Sequence, residues 1–510
     1  MIDALNKPAA AVFVGFFLFV SVLGFIAAHW KRADLDDLHE WGLGGRRFGP
    51  WISWFLIGGD LYTAYTVIAV PSVVYAIGAY GFFAIPYTIL IYPLLYVVFP
   101  KLWSETHKHG YLTAGDYVYG RFNNRWLEGA VAFTGILATM PYIALQLIGM
   151  EKVIKALGFS AEGFMGHMPL GIAFLLLALY TYKSGLRAPA MIAFVKDLMI
   201  YVVVIAAIII IPARLGGYGA IFDAAQSVFT EKMVISQGKI VAGIMLTPGQ
   251  IMPFITLAIG SAMALFMYPH ALTGILSASG GKAIRTNAIT LPAYSVALVL
   301  IALMGYMAHA AGIRTQDPQD AVPQLFLTMF PDWFAGFAFA SIAIGALVPA
   351  AIMSIGAANT FTRNLWKPLF QPAISTRDEA ALAKFTSLLV KVGALFVILF
   401  MPTKFALDLQ LLGGIWMIQI FPAIVCGLFS RRFNGTGLLA GWSLGMALGT
   451  WLSWGATAWT PLTKLFGYAN FGIYNGLTAL AVNLIVAYCV SRLSPWDQYA
   501  HLPGNQKEWL

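Results

Sequence analysis

Long apolar runs without charge dominate this sequence and constrain its fold more than any other feature. Residues 61–100 contain no Asp, Glu, Lys or Arg over 40 positions, whereas a helix needs only about 20 apolar residues to cross a bilayer. Charged residues make up 10% of the chain, against roughly 25% in a soluble domain. Too few charges remain to cover a water-exposed surface, so a soluble enzyme and a disordered protein are excluded. The sequence predicts an all-helical protein that crosses the membrane many times.

Thirteen transmembrane helices are predicted from charge-poor runs of this kind. The first run is already of full length and no small-residue cleavage site follows it, so we expect a retained helix and not a signal peptide. The run 61–100 contains Gly78 and Gly81 near its middle and provides most of two spans. The predicted spans lie at residues 9–30, 61–100, 129–150, 168–182, 190–213, 250–279, 286–313, 333–362, 382–402, 409–430, 435–454 and 471–491.

Lysine and arginine residues in the connections predict the orientation of the chain. With the N-terminus placed outside, twenty of them lie in inner segments and nine in outer segments. Positively charged loops stay on the cytoplasmic side of a membrane, so we expect the N-terminus outside and the C-terminus in the cytoplasm. The same bias, together with anionic lipid, accounts for the net charge of +9 without any nucleic-acid partner.

Ten of the spans, the second to the eleventh, divide into two units of five. A repeated unit with an odd number of spans must be inverted across the membrane, and the first helix of each such unit is typically broken at the midplane. Glycine or proline is present at both expected breaks: Gly58, Gly59 and Pro71 in the second span, and Pro253, Gly260 and Pro269 in the seventh. The sequence predicts one transmembrane domain over residues 1–510, divided into a peripheral first helix (9–30), a ten-helix core (50–430) and two accessory helices (435–491).

Asp60 is the most informative polar residue, because it lies in an apolar helix directly after Gly58 and Gly59. An ionisable group at membrane depth is costly and indicates a functional site. The two glycines permit local unwinding, which frees carbonyl groups for a cation or amide groups for a carboxylate. In the alternative interpretation Asp60 only caps the half-helix that begins at Leu61.

Asp197 and His270 are further ionisable candidates within spans. Asp197 could serve an inner ion site or gate; alternatively, Lys196 snorkels to the inner interface and Asp197 pairs locally. Adjacent residues on a helix diverge by about 100°, so Lys196 and Asp197 are not expected simply to face each other. His270 follows Pro269 in the seventh span, where it could take part in a proton-transfer step or be only a hydrogen-bonded packing residue.

Two polar pairs each share one face of a helix: Tyr142 with Gln146, and Trp416 with Gln419. Each pair could line a polar cavity or only hold neighbouring helices together. Lys391 also lies in mid-span, where a peripheral helix would allow it to snorkel. The sequence shows no zinc-type Cys/His spacing, phosphate-binding glycine loop or nucleophile motif, so it predicts no cofactor, no certain metal site and no enzymatic activity.

Several segments resemble the solute:sodium symporter family, and together they cover most of the chain. They are GGRRFGPW (44–51), YPH (268–270) followed by Arg285, DAVP (320–323), PDWFAG (331–336) and GLLAG (437–441). Two further segments, GGDLYTAYT (58–66) and MPYIALQ (140–146), are similar to bacterial monocarboxylate permeases. The resemblance implies a LeuT-like fold of five-plus-five inverted repeats. We expect the protein in the inner membrane, where the bias of Lys and Arg residues described above predicts a periplasmic N-terminus. It also implies secondary active import of a small monocarboxylate: lactate, pyruvate, propionate, acetate or alanine.

The ninth span departs from the family pattern at its sodium ligands. The family carries A-A-x-M-S-T there, and its Ser and Thr hydroxyls ligate sodium together with carbonyls of the broken second helix. An ungapped register places Val348 and Pro349 on these two positions, and neither offers a hydroxyl. A competing register with a six-residue deletion places Ser354 on the Ser position. In the ungapped register only carbonyls near Gly59, Tyr62 and Gly345 remain, so the sequence predicts a degenerate sodium site.

Proton coupling follows as the leading hypothesis, with Asp60 as the first carrier and Asp197 and His270 as second choices. A substrate carboxylate is expected at the half-helix N-terminus near Tyr62, where unpaired amides and the positive end of the helix dipole would meet it. Aromatic walls with few hydroxyls suit a short aliphatic acid better than a sugar. The predicted lining consists of Tyr62, Thr63, Tyr65, Tyr142, Gln146, Tyr268, Trp416 and Gln419.

Two alternatives remain open at this point. The chain could be a sodium-coupled symporter with an atypical sodium site. From another class, it could be a transporter-like solute sensor, which we expect to carry a cytoplasmic signalling tail. Only 19 residues follow Ser491 in the sequence, which disfavours the sensor.

Overall fold

The computed structural model describes residues 5–30, 34–159, 168–235, 242–400, 406–454, 459–464 and 472–494. This part of the chain is helical apart from one two-stranded antiparallel sheet, in which Leu462–Lys464 pairs with Gly472–Tyr474 and Leu462 lies opposite Tyr474. Among the described residues, nine helices are long and apolar enough to cross a membrane. The protein is therefore an all-helical, multi-pass membrane protein.

The helices follow one another with short connections. The α-helices are Lys7–Ile26, Leu38–Leu43, Pro50–Gly59, Val70–Ile77, Ala84–Val97, Phe99–Lys108, Ala114–Phe122, Arg125–Ala156, Met168–Ser184, Arg187–Arg214, Tyr218–Ile235, Pro248–Leu265, Pro269–Leu276, Gly281–Thr290, Pro292–Ala302, Met304–Ala310, Ala321–Met329, Asp332–Phe361, Lys367–Phe370, Thr376–Phe400, Ala406–Met417, Gly427–Phe429, Gly435–Ser453 and Asn475–Leu493. Short 3₁₀ segments are Ala27–His29, Gly44–Arg46, Ala79–Phe83, Pro318–Asp320 and Ile418–Ile420. Three π-helical turns are Tyr65–Ala69, Thr362–Trp366 and Pro422–Cys426.

Each of the thirteen predicted spans coincides with one or more of these helices, and nine correspond to the long apolar helices. The second and fifth are represented by the shorter apolar helices Tyr65–Ile77 and Gly171–Ser184. The tenth, Thr376–Phe400, begins with charged residues, and the twelfth, Gly435–Ser453, is rich in glycine. Some of the predicted positions lie outside the described residues. They are positions 401, 402 and 471 at the ends of predicted spans, and Lys31, Arg32, Lys239, Lys404 and Lys507, which were counted for the orientation.

The second span is interrupted at the predicted place. We call it the first broken helix: Pro50–Gly59, the π-turn Tyr65–Ala69, and Val70–Ile77. Glycine favours a helix less than other residues do, apart from proline, and the first half ends at Gly58 and Gly59. A Cβ on Gly58 would lie 2.3 Å from the ring of Tyr294, so close packing against a neighbouring helix also requires glycine here.

The seventh span is interrupted as well, and we call it the second broken helix: Pro248–Leu265 and Pro269–Leu276. Pro269 is the first residue of the second half, a position where the missing N–H of proline costs nothing. The helix Asp332–Phe361, which is buried over most of its length, packs against this half. A Cβ on Gly356 would lie 2.7 Å from the backbone nitrogen of His270, so glycine lets the two helices approach closely.

Polar side-chain contacts mark the two ends of the long helix Arg125–Ala156, and Arg125 forms an ion pair with Glu128 at its start. At its first turn, Glu128 accepts a hydrogen bond of 2.9 Å from Asn364, which also donates to Asp116 at 2.8 Å. At its last turns, Lys152 pairs with Asp317 and Asp320. The contacts at the first turn involve segments that the sequence predicts on the cytoplasmic side, and the contacts at the last turns involve segments that it predicts on the outer side. Which end faces the cytoplasm stays a prediction.

Candidate functional site

Asp60 and His270 bring the two broken helices together in the interior of the protein. Nε2 of His270 lies 3.3 Å from Oδ2 of Asp60, and both side chains are buried. Oδ1 of Asp60 and both ring nitrogens of His270 have no hydrogen-bond partner within the described part of the chain, so the 3.3 Å contact is close but is not a formed hydrogen bond. Buried polar atoms are nearly always paired, so this acid and this base form a site with unused hydrogen-bonding capacity.

The half-helix after the break begins at Tyr65, and Asp60 does not cap it. The N–H of Tyr65 donates to Oγ1 of Thr63 at 3.0 Å, and the N–H of Ala64 donates to Oε1 of Gln146 at 3.0 Å. The N–H of Thr63 donates to Oγ1 of Thr66 at 3.4 Å. The cap is therefore built from threonine hydroxyls and a glutamine, and the interpretation of Asp60 as only a cap finds no support in these contacts.

The expectation of unpaired amides at this N-terminus is wrong for the conformation described. An unpaired N–H in an apolar interior costs about 1–3 kcal/mol, and Gln146 removes that cost by reaching across from the helix Arg125–Ala156. Its own amide nitrogen donates to the carbonyl of Tyr142 at 3.4 Å. A carboxylate can therefore bind the N–H of Ala64 only if the glutamine oxygen leaves it.

Two tyrosine rings, those of Tyr142 and Tyr268, lie beside His270 of the Asp60–His270 pair. The ring of Tyr142 lies 5.5 Å from that of Tyr268 and 5.4 Å from the imidazole of His270. Tyr268 is 5.1 Å from His270, and its hydroxyl donates to the carbonyl of Gln410. All three rings are buried. The structure thus brings Tyr142 and Tyr268 to the pair predicted to carry the coupling ion.

A small cavity lies beside the break on the side of the third and eighth spans. Its walls include the predicted residues Tyr62 and Tyr65, together with Tyr87, Thr88, Tyr294 and Ser295. Sequence reasoning missed the last four residues. These four residues form two adjacent pairs with hydroxyl groups, Tyr87-Thr88 and Tyr294-Ser295, and each pair lies in an otherwise apolar run. That pattern could have indicated them.

Trp416 and Gln419 are used elsewhere in the structure. Nε1 of Trp416 donates to the hydroxyl of Thr450 at 3.0 Å, and the amide of Gln419 donates to the carbonyl of Gly476 at 3.2 Å. Asn483 also donates to the side chain of Gln419 at 3.2 Å. These contacts join the eleventh span to the last two helices, which corresponds to the interpretation of the pair as a connection between helices.

Lys196 does not snorkel to the interface, because its side chain is completely buried. Its Nζ donates to the carbonyl oxygens of Gly59 and, at 2.9 Å, of Tyr62. The same atom lies 3.1 Å from Oδ1 of Asp197, whose Oδ2 accepts a hydrogen bond of 2.5 Å from the hydroxyl of Tyr294. The expectation that Lys196 and Asp197 do not face each other is thus wrong, since a long flexible side chain can fold back towards its neighbour.

The predicted degenerate sodium site coincides with the position of this ammonium group. Gly59 and Tyr62 supply the carbonyls that Lys196 binds, and a Cβ on Gly345 would lie 4.0 Å from the carbonyl oxygen of Tyr62. Val348 and Pro349 are buried one turn further along the same helix as Gly345.

Ser354, the serine of the competing register, belongs to a different group of polar side chains. Its hydroxyl donates to the carbonyl of Ala351 at 2.8 Å and accepts a hydrogen bond from Ser387 at 3.1 Å. The hydroxyl of Ser387 in turn accepts from Nζ of Lys391 at 3.0 Å. Lys391 is therefore buried and hydrogen-bonded, and it does not snorkel as a peripheral helix would allow.

Comparison with known proteins agrees with this architecture. The sequence profile of the Sodium:solute symporter family matches residues 41–445. A "Monocarboxylate transport permease protein" of Rhizobium johnstonii is 56% identical over 497 residues, which cover 97% of this chain and 99% of the relative. An "Uncharacterized symporter YodF" of Bacillus subtilis is 34% identical, with 96% and 94% of the two chains covered.

A solved structure shares the fold at low sequence identity. It is the substrate-bound outward-open state of a Na⁺-coupled sialic acid symporter, with a TM-score of 0.71, 15% identity and coverage of 96% of this chain and 98% of that chain. The likeness extends over nearly the whole of both chains. This likeness shows the fold. The family match over residues 41–445 and the permease relative at 56% identity make this protein a small-solute transporter of the membrane and not an enzyme, and the chain belongs to the Sodium:solute symporter family.

Proposed function

We propose that the protein imports small monocarboxylates, such as lactate, pyruvate, propionate, acetate and alanine, by symport with protons. The observation that carries this proposal is the buried Asp60–His270 pair at the meeting point of the two broken helices. A carboxyl and an imidazole in contact can hold and release one proton between them without any metal ligand. The name of the Rhizobium johnstonii relative, at 56% identity, supports a monocarboxylate as the substrate.

The substrate carboxylate would bind at the N-terminus of the half-helix that begins at Tyr65. There it takes the place of Oε1 of Gln146 on the N–H of Ala64, with the positive end of the helix dipole behind it. The hydrocarbon part of a short acid would then lie against buried tyrosine rings. The proposed lining consists of Tyr62, Thr63, Tyr65, Tyr142, Gln146 and Tyr268; Trp416 and Gln419 are left out because their polar atoms bind the last two helices.

The proton would be carried by Asp60 and His270 together. One anion moving with one proton transfers no net charge, so the membrane potential neither drives nor opposes this step. Asp197 is left out as a carrier, because the ammonium of Lys196 and the hydroxyl of Tyr294 already bind its carboxylate.

For the architecture we propose thirteen transmembrane helices in the inner membrane, with a periplasmic N-terminus and a cytoplasmic C-terminus. The second to the eleventh would form two inverted units of five within residues 50–430, each beginning with one of the broken helices. Support comes from the presence of both breaks at equivalent places in the two units. Residues 9–30 and 435–491 would lie outside this core.

Sodium coupling is the second candidate, and the family name and the Na⁺-coupled solved neighbour favour it. The deciding experiment is uptake of labelled lactate into proteoliposomes, with a pH gradient and a sodium gradient imposed separately. We expect accumulation with the inside alkaline at equal sodium on both sides. Accumulation that requires sodium at fixed pH would contradict proton coupling, and failure to take up any of these acids would contradict the substrate class.

A further inference from the structure

We propose that the ε-ammonium group of Lys196 permanently fills the place where a symporter of this fold would bind a sodium ion, so that the protein carries its own cation there. This inference concerns how the transporter deals with sodium. Only its uptake measurement rests on the proposed import of monocarboxylates. It assigns to Lys196 a role that keeps the first broken helix attached to the core without a dissolved ion.

The contacts of Lys196 resemble the coordination of a cation by backbone oxygens. Its Nζ binds the carbonyls of Gly59 and Tyr62, one on either side of Asp60 in the break of the first broken helix. Carbonyl groups left free by unwinding need a donor or a cation in an interior without water. An ammonium group has three donors, of which two serve these carbonyls, and Oδ1 of Asp197 forms an ion pair with it at 3.1 Å without a hydrogen bond.

Charge balance also favours a fixed cation. Lys196 and Asp197 are both completely buried, and an unpaired charge at such a place would be strongly destabilising. Asp197 is held from its other side by the hydroxyl of Tyr294 at 2.5 Å. The pair of one ammonium and one carboxylate is therefore neutral, and an additional sodium ion would find the two carbonyls occupied.

The facing helix Asp332–Phe361 supplies the second part of the argument. Gly345 lies next to the carbonyl of Tyr62, and the residues one turn further along, Val348 and Pro349, offer no side-chain oxygen. Ser354 hydrogen-bonds with Ser387 instead. With the ammonium in place, the described residues around this position therefore leave too few free oxygens for a sodium ion.

The test compares two substitutions that remove the charge but differ in the space they leave. Lys196→Ala leaves two carbonyls and a carboxylate around an empty volume, which we expect to bind sodium. Lys196→Met removes the charge and fills most of that volume. Lys391→Ala is the matched control, because Lys391 is also a buried lysine but binds Ser387 and not the broken helix.

The first measurement is the melting temperature of purified protein, with sodium chloride replaced stepwise by choline chloride. A ligand that binds only the folded state raises the melting temperature as its concentration rises. We expect this sodium response in Lys196→Ala, and none in the wild type, Lys196→Met or Lys391→Ala. This readout needs no substrate, so it stands even if the proposed monocarboxylates prove wrong.

The second measurement is uptake of labelled lactate at equal pH with and without sodium. We expect several-fold stimulation by sodium in Lys196→Ala and no change in the wild type. A sodium-dependent melting temperature in the wild type would overturn the proposal. So would a folded Lys196→Ala protein without a sodium response, or a Lys196→Ala protein that no sodium concentration restores to a folded state.

Discussion

Nε2 of His270 lies 3.3 Å from Oδ2 of Asp60, and this contact joins the break of the first broken helix to the first turn after the break of the second. The two residues are 210 positions apart in the sequence. Because each sits where its own helix is interrupted, a displacement of either half-helix changes the distance between the carboxylate and the imidazole. Under the proposed proton coupling, the proton state of the pair would therefore be linked to the arrangement of the two broken helices.

The first prediction concerns Asp60→Asn in proteoliposomes. We expect accumulation driven by a pH gradient to fall by more than about tenfold, which corresponds to roughly 1.4 kcal/mol, because asparagine cannot carry the proton. Exchange of labelled for unlabelled lactate should fall much less, since exchange needs no net proton movement. The exposed Asp378→Asn serves as the control. A wild-type pH response in Asp60→Asn would refute the assignment.

The second prediction is that Asp60 and His270 act as one unit. Asp60→Asn, His270→Gln and the double variant form a cycle in which uptake rates are measured at saturating lactate. We expect the double variant to be no slower than the slower single variant, because residues in direct contact have non-additive effects. Asp60→Asn combined with Lys391→Met is the comparison, and those two effects should add. Additive losses in the Asp60–His270 cycle would mean that the pair does not share a proton.

The third prediction concerns Gln146→Ala. Without its glutamine partner the N–H of Ala64 is unpaired, so we expect the free energy of unfolding to fall by about 1–3 kcal/mol. If a carboxylate replaces the glutamine oxygen in the wild type, lactate should raise the melting temperature of Gln146→Ala more than that of the wild type. Gln419→Ala is the control, a buried glutamine that contacts other helices. Equal lactate shifts in all three proteins would remove Ala64 from the binding site.

The fourth prediction is that Asp317 makes the stability of the protein depend on pH. Burial alone would raise the pKa of Asp317, but hydrogen bonds from Lys152 and Gln319 outweigh it and hold this pKa below the ordinary value. The resulting stability is present above the unfolded-state pKa of about 3.9 and is lost as the pH falls through the lower folded-state pKa. We therefore expect Asp317→Asn to lower the melting temperature at pH 7 and to have little effect once the wild-type carboxylate is protonated. A difference that persists unchanged in acid would contradict this account.

The fifth prediction tests orientation with single cysteines. In a background of Cys426→Ser and Cys489→Ser, the exposed positions Ala220 and Ala373 are each replaced by cysteine. We expect a membrane-impermeant maleimide to label Ala220→Cys in intact spheroplasts and Ala373→Cys only after the membrane is opened. The reverse pattern would invert the proposed topology.

The sequence was sufficient for the positions of the nine long apolar helices among the described residues and for both breaks, but not for helices outside the spans such as Tyr218–Ile235. Apolar length and glycine or proline content are local properties, and the membrane leaves few alternatives to a helix for an apolar run of this kind. Gly58, Gly59 and Pro269 therefore marked the interruptions before any contact was known. Asp60 was also recognisable, because a lone carboxylate in such a run is exceptional.

The partners of these residues could not be predicted from the sequence. His270 meets Asp60 only through packing between distant spans, and Gln146 reaches Ala64 from a third helix. The direction of Lys196 was misjudged because helix geometry fixes where its Cβ points, whereas four further atoms decide where Nζ lies. Trp416 and Gln419 were assigned to the site by spacing alone, and spacing does not tell which neighbour a helix face meets.

The hydrogen bonds from Trp416 and Gln419 to the last two helices have a consequence for anyone who shortens this protein. A chain ending near residue 430 would keep the whole proposed core but would leave the side chain of Gln419 without Gly476 and Asn483. The amide nitrogen of Gln419 would keep its hydrogen bond to the carbonyl of Ile415 at 3.0 Å, but its oxygen would lose its donor, and an unpaired polar group in hydrocarbon costs about 2–7 kcal/mol, comparable to the entire stability of many domains. The helices Gly435–Ser453 and Asn475–Leu493 are thus part of the structure that stabilises the eleventh span, and a minimal transporter cut from this sequence has to retain them or replace Gln419 by an apolar residue.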